Sequence, residues 1–278
     1  MSENGKPQGY CGTSRRLNVQ RQLFSIVERY LNSFGYHTTF FFVKFDNSSK
    51  KECLDRLKSE QIDGVIMLHE LKYPAFYEYA AKIGLPVVST LCNSDKLPTI
   101  KINDRQAAAE AVNHLIGLGH KKINLIYGSG FSFGEERMKG YCDALAAAEI
   151  DRDESRIICV NQYNSEFGTY GMKELLLRSR DFSAVFAASD ELALGAIRVL
   201  KDEGIGVPDD VSIIGFDDIE SSGYYIPRLT TVHQPIAEIG EQAALTLHRH
   251  INGGVSPDPE IIIPHKLIIR ESTRSPVR

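Results

Sequence analysis

The chain has 278 residues, 42% of them hydrophobic and 24% charged, enough apolar material for one large α/β domain or two smaller ones. A formal net charge of −4 lacks the basic surplus that marks a free-standing nucleic-acid binder. The five cysteines (Cys11, Cys53, Cys92, Cys142 and Cys159) are scattered and form no CxxC pair. That argues against a disulfide framework or a zinc site and fits a reducing cytoplasm. Residues 1–7 lack the apolar core of a signal peptide, and no stretch approaches the length of a membrane span.

In chain order, residues 1–16 are polar, with Gly5, Pro7, Gly9 and Gly12, and are expected to form a linker and a weak first strand. Beyond them short apolar runs alternate with helical periodicity. Residues 64–68, 86–89, 123–127, 184–188 and 211–215 are expected as parallel strands buried on both faces. Between them Ala107, Ala108, Ala111, Val112, Leu115 and Ile116 recur at helical spacing. So do Met138, Tyr141, Ala144, Leu145 and Ala148, and then Leu192, Ala193, Ala196, Ile197 and Leu200. Repeated strand–helix–strand units imply a doubly wound α/β architecture. The strands exceed the needs of one compact sheet, and the turn Gly117-Leu118-Gly119-His120 divides the helices into two sets. Two lobes are expected, 17–118 with 236–260 and 119–235 with 261–278. Asn252-Gly253-Gly254, ahead of Pro257 and Pro259, is expected as a helix stop and surface turn.

The run Asp210-Val211-Ser212-Ile213-Ile214-Gly215-Phe216-Asp217-Asp218 is a strand that halts at a glycine and then presents two carboxylates. In an open parallel sheet, residues just past the carboxyl end of a strand face the ligand crevice. Paired acids at such a place suit hydroxyls or cations; a solvated acidic turn is the alternative.

Several ordered segments resemble the lac/gal repressor (LacI/GalR) family. They are Ile102-Asn103-Asp104, Asn113 through Ile123 with its Gly-Leu-Gly-His core, Glu136-Arg137-Met138-Lys139-Gly140-Tyr141, and Ala188-Ser189-Asp190-Glu191-Leu192-Ala193-Leu194-Gly195-Ala196. Val207 through Asp218, Pro227-Arg228-Leu229-Thr230-Thr231-Val232 and Arg270-Glu271-Ser272-Thr273 continue the match, which spans residues 63–273. The resemblance implies a periplasmic-binding-protein-like core of class I, two doubly wound parallel-sheet lobes joined by three crossovers, with a small effector held in the cleft. It also implies a cytoplasmic transcription regulator that acts as a homodimer and reads operator DNA through an N-terminal helix-turn-helix domain and hinge helix. The polar leader is far shorter than such a domain, so the chain is expected to be the effector-binding core of a longer repressor.

The family uses an arginine at the place of Arg137 for its ligand, and the planar guanidinium suits two neighbouring hydroxyls or a carboxylate. Asp217, and Asp104 from the other lobe, would accept hydrogen bonds from hydroxyls; for Asp104 the alternative is helix capping, and one residue can serve both roles. Ser189 stands where many relatives carry Asn and would give the ligand a hydrogen bond of shorter reach, and Asp190 is expected to cap the helix after it. Tyr163 and Phe131 would offer apolar faces to a sugar ring, or simply pack. The first helix departs from the family's Asn-Pro-Phe-Phe run with Leu17-Asn18-Val19-Gln20-Arg21, and Ser14, Arg15 and Arg16 raise a preference for a phosphorylated sugar.

Two other readings compete. Gly130-Phe131-Ser132-Phe133-Gly134 satisfies the GxSxG hydrolase pattern, and Asp190 or Asp217 followed by His233 gives the hydrolase order. Yet Gly128 and Ser129 add slack where the nucleophile elbow needs a tight turn. A transport receptor would share the fold, against which stand the repressor-style Leu229-Thr230-Thr231 segment and the start of the chain. Gly128-Ser129-Gly130 lacks the third glycine of a dinucleotide fingerprint, and no histidine spacing suits a metal, so no cofactor or metal is expected.

Overall fold

A computed structural model describes residues 17–41, 43, 46–68, 71–94, 96–254 and 258–276. The expected linker and first strand at 1–16, with Cys11, Ser14, Arg15 and Arg16, lie outside the described residues. Elements follow one another as α1 (Leu17–Ser33), α2 (Asn47–Ser59), β1 (Val65–Met67), α3 (Pro74–Ile83), β2 (Val87–Thr90), β3 (Thr99–Lys101), α4 (Asp104–Gly117), β4 (Ile123–Gly128) and α5 (Ser132–Ala147). Then come β5 (Ile157–Val160), α6 (Ser165–Arg178), β6 (Ala184–Ala187), α7 (Asp190–Asp202), β7 (Ser212–Asp217), β8 (Thr230–His233), α8 (Ile236–Ile251), β9 (Glu260–Ile262) and β10 (Lys266–Ile268).

The strands form two sheets, ordered β1-β2-β3-β9 and β10-β8-β7-β6-β4-β5. All pairings are parallel except β10 with β8. The chain passes between the sheets three times, at 102–103, 234–235 and 263–265. Alternate residues of β4 and β6 feed opposite faces. Ile123, Leu125, Ala184 and Phe186 join one apolar cluster with α4 and α5, whereas Ile126, Val185 and Ala187 join another with α6 and α7. Burial on both faces explains the mainly apolar runs of these strands, interrupted in β4 by Asn124. A third cluster, from Leu54, Leu57, Met67, Phe76 and Val87, fixes α2 and α3 to the smaller sheet.

The expected boundary at residue 118 is displaced. Helix α4 packs on α5 and lies against β8 and β10, so it sides with the six-stranded sheet. The packing is close, since a Cβ on Gly140 of α5 would stand 2.2 Å from the carbonyl oxygen of Arg105 on α4. The second expected boundary, at 260, also moves, because Ile261 and Ile262 pair with Ile100 and Lys101.

Asp190, at the first turn of α7, is fully buried and fastens three neighbouring segments. Its Oδ2 accepts the amide of Ile219 (2.9 Å) and the hydroxyl of Ser222 (2.6 Å), and its Oδ1 accepts the hydroxyl of Thr231 (2.5 Å). A Cβ on Gly215 would meet Oδ1 at 2.3 Å, so only glycine leaves room for the carboxylate. Burial first, and then the nearby Asp217 charge, push the Asp190 carboxyl from 3.8 up to about 7; the three donors pull the other way. The folded chain therefore holds this proton up to about pH 7, and the unfolded chain releases it near 3.8. Folding takes up a proton in that window, so stability falls as pH rises through it. Urea-unfolding midpoints measured from about pH 5 to about pH 8 are expected to decline in the wild type and to flatten in Asp190→Asn. Parallel slopes in the two proteins would contradict this origin.

Candidate functional site

In the larger sheet, β4 has β5 on one side and β6 on the other, the arrangement at which connections diverge and open a crevice beyond the carboxyl ends of the strands. The expected residues gather there. Helix α5 starts four residues after β4 and carries Arg137 inward; α7 starts just past β6; Asp217 ends β7; and Asp104 opens α4 directly after the first crossover.

Arg137 is 2% exposed, an unusual place for a cation. Its Nε donates to Asp104 Oδ1 at 2.7 Å, and its Nη1 donates to the carbonyl of Ala188 at 2.8 Å and to Asp217 Oδ1 at 3.2 Å. The guanidinium carbon stands 3.5 Å from the ring centroid of Phe216 and 5.1 Å from that of Phe133, so aromatic faces meet the cation where water is excluded. Burial disfavours the charge, and Asp104 and Asp217 more than offset it, so the guanidinium stays protonated.

Asp217 and Asp218 occupy backbone conformations with φ of +110° and +53°, which side-chain-bearing residues adopt at a cost. Each is held from the end of β8. Gln234 Nε2 donates to Asp217 Oδ1 at 2.6 Å, while His233 Nδ1 lies 2.9 Å from Asp218 Oδ2. Arg270 Nη2 adds a bond to Asp218 Oδ1 at 2.6 Å. Among the described residues, Asp217 Oδ2 accepts no hydrogen bond. Gln234, which starts the second crossover, escaped the sequence reading; its place two residues before a helix carried no chemical signal.

The capping assignments change. Asn103, not Asp104, caps α4, accepting the amide of Gln106 at 3.1 Å, and this leaves Asp104 for Arg137. Ser189, not Asp190, caps α7, accepting the amide of Leu192 at 3.2 Å. Tyr163 is buried and donates its hydroxyl to the carbonyl of Gly128 at 3.0 Å. Half-buried Phe131 stands edge-on to it, with centroids 5.9 Å apart, and stacks on Phe133 at 5.1 Å. The structure thus brings Arg137, Asp104 and Asp217 into direct contact, and gives Ser189 and Tyr163 duties in the walls.

A hydrolase triad does not form. The Ser132 hydroxyl accepts the amide of Asn93 at 3.1 Å, across from the smaller sheet, and His233 is paired with Asp218 rather than with Asp190 or Asp217. Among the described residues no helix is long and apolar enough to cross a membrane.

A periplasmic binding protein-like domain matches residues 112–273. The HTH-type transcriptional repressor CytR of Escherichia coli K12 is 35% identical over 232 residues, which cover 82% of this chain and 68% of CytR. A transcriptional regulator CelR–cellobiose complex superposes with a TM-score of 0.85 at 28% identity, covering 92% of this chain and 79% of that one. A LacI family transcriptional regulator from Enterococcus faecium with bound ribose gives 0.80 at 28% identity, over 93% and 95% of the two chains. CytR and both structural neighbours are transcriptional regulators, and the chain belongs to the LacI/GalR family of transcriptional regulators as a ligand-sensing core.

Proposed function

We propose that this core binds a sugar or sugar derivative between two lobes and passes its occupancy to operator DNA through an N-terminal DNA-binding domain, in the cytoplasm. The lobes divide at the three passages between sheets: 17–102 with 236–262, and 103–233 with 266–276. The observation that carries the reading is the Arg137–Asp104–Asp217 cluster at the strand ends. One cation and two carboxylates at the mouth of a crevice offer both donors and acceptors to a polyhydroxylated ring, and Asp217 Oδ2 is available to a hydroxyl. Phe131 supplies an apolar face, with Tyr163 and Ser189 shaping the wall behind it. The relatives solved with cellobiose and with ribose support this ligand class. Because a ligand shifts an equilibrium only by its differential affinity, the effector must fit one separation of the lobes better than another.

Thermal shift of the chain with ribose, cellobiose, sugar phosphates, nucleosides and purines tests the reading. One class is expected to raise the melting temperature with dose, by several degrees at about 100 times its Kd. Arg137→Lys keeps the charge that the acids need and loses the fork, so calorimetry is expected to show at least about tenfold weaker binding. Unchanged affinity in that variant would contradict the assignment.

The core is further proposed to form a homodimer. Support comes from Tyr224 and Ile226, which are 80% and 89% exposed on the connection between β7 and β8, an apolar pair that a partner copy would cover. In sedimentation velocity Ile226→Glu is expected to shift the chain from dimer to monomer; a dimer that survives would place the interface elsewhere.

A further inference from the structure

We infer that Asp190 is a positioning residue for the cleft, fixing the main chain that carries Asp217 and, through Asp217, the guanidinium of Arg137. The inference rests on the cleft reading above. The left-handed pair Asp217-Asp218 persists only because its surroundings over-determine it. Arg137 and Gln234 grip the side chain of Asp217, and His233 and Arg270 grip that of Asp218. Asp190 instead grips the backbone where the turn ends, by accepting the amide of Ile219, the first residue after the pair.

The same carboxylate joins that exit point to Ser222, in the short 3-10 turn Glu220–Gly223, and to Thr231 in β8, the strand that delivers Gln234. Strand β7 is itself shaped for it, since Gly215, two residues before Asp217, lacks the Cβ that would collide with Asp190 Oδ1. One buried group therefore sets the distance between β8 and the turn from which Asp217 reaches Arg137. The groups facing Asp190 are Asp217 from β7, the Ser222 and Thr231 hydroxyls and the Ile219 amide. Its raised carboxyl, at about 7, gives a way to perturb the arrangement without mutation.

The test uses the uniformly 15N-labelled chain with no ligand added, so it does not depend on which compound the cleft takes. From about pH 5.5 to about 8.5 the Ile219 amide and the Arg137 Nε–H resonances are expected to move with a common midpoint. Both movements are expected to vanish in Asp190→Asn. In Ser222→Ala, which removes one donor to the carboxylate and serves if Asp190→Asn folds poorly, the common midpoint is expected to rise. An Arg137 resonance that stays fixed while Ile219 titrates would reduce Asp190 to a structural staple and overturn the inference, as would an Arg137 titration that persists in Asp190→Asn. Failure of the cleft reading would show separately, as equal ligand affinity in wild type and Arg137→Lys.

Discussion

A buried guanidinium sets the terms for this structure. Taking the Arg137 charge out of water costs several kcal/mol, and the chain offsets that cost chiefly by bringing acids from two separate elements to it, with the Ala188 carbonyl and two aromatic faces beside them. Asp104 has to arrive directly after the first passage between sheets, and Asp217 at the carboxyl end of β7. Neighbouring features follow from those demands. Asn103 takes the capping duty so that Asp104 is spared, Phe216 lies flat under the cation, and Asp217 accepts a left-handed backbone to aim its carboxylate.

That cluster also lies where the two sheets are joined. Asp104 adjoins the passage at 102–103, and Gln234, bonded to the same oxygen of Asp217 as Arg137, begins the passage into α8. Helix α8 packs on α1 and the smaller sheet, so a contact made at Asp217 is one side chain away from the passage that leads to that sheet. On the proposed reading, an effector hydroxyl at Asp217 acts on the group that already holds the link between lobes. No long pathway is needed, only a shift in which partner that oxygen holds.

Part of the larger sheet was legible because β4, β6 and β7 are covered on both faces and so spell mainly apolar runs, interrupted in β4 by Asn124. Strands β3, β5, β8, β9 and β10, three or four residues each, were not anticipated; β3, β8 and β10 mix Thr99, Lys101, Thr230, Thr231 and Lys266 into runs too short for a period to show, whereas the equally short β1 is the unbroken apolar run Val65-Ile66-Met67. Gly117-Leu118-Gly119-His120 was a strong turn signal but only separates α4 from β4, both packed with the six-stranded sheet. The true passage, Ile102-Asn103, has neither Gly nor Pro to mark it. Asp217 was visible as a carboxylate just past a buried strand, Arg137 and Asp104 were identified from their resemblance to the family's order, and the mutual contact of all three needed coordinates. Composition could not reveal that Asp190 is buried, because it sits in a Ser-Asp pair that looks like any helix start and its partners are 29 to 41 residues away.

The most direct measurement is the unfolding free energy, by urea, of Arg137→Met beside that of the triple variant Arg137→Met, Asp104→Asn, Asp217→Asn. If the buried cation and its two acids form one unit, the single change strands two carboxylates and costs about 3–5 kcal/mol, and the triple change recovers most of it. A single variant as stable as wild type, or a triple variant whose loss is the plain sum of three independent losses, would contradict the claim that this cluster organises the site.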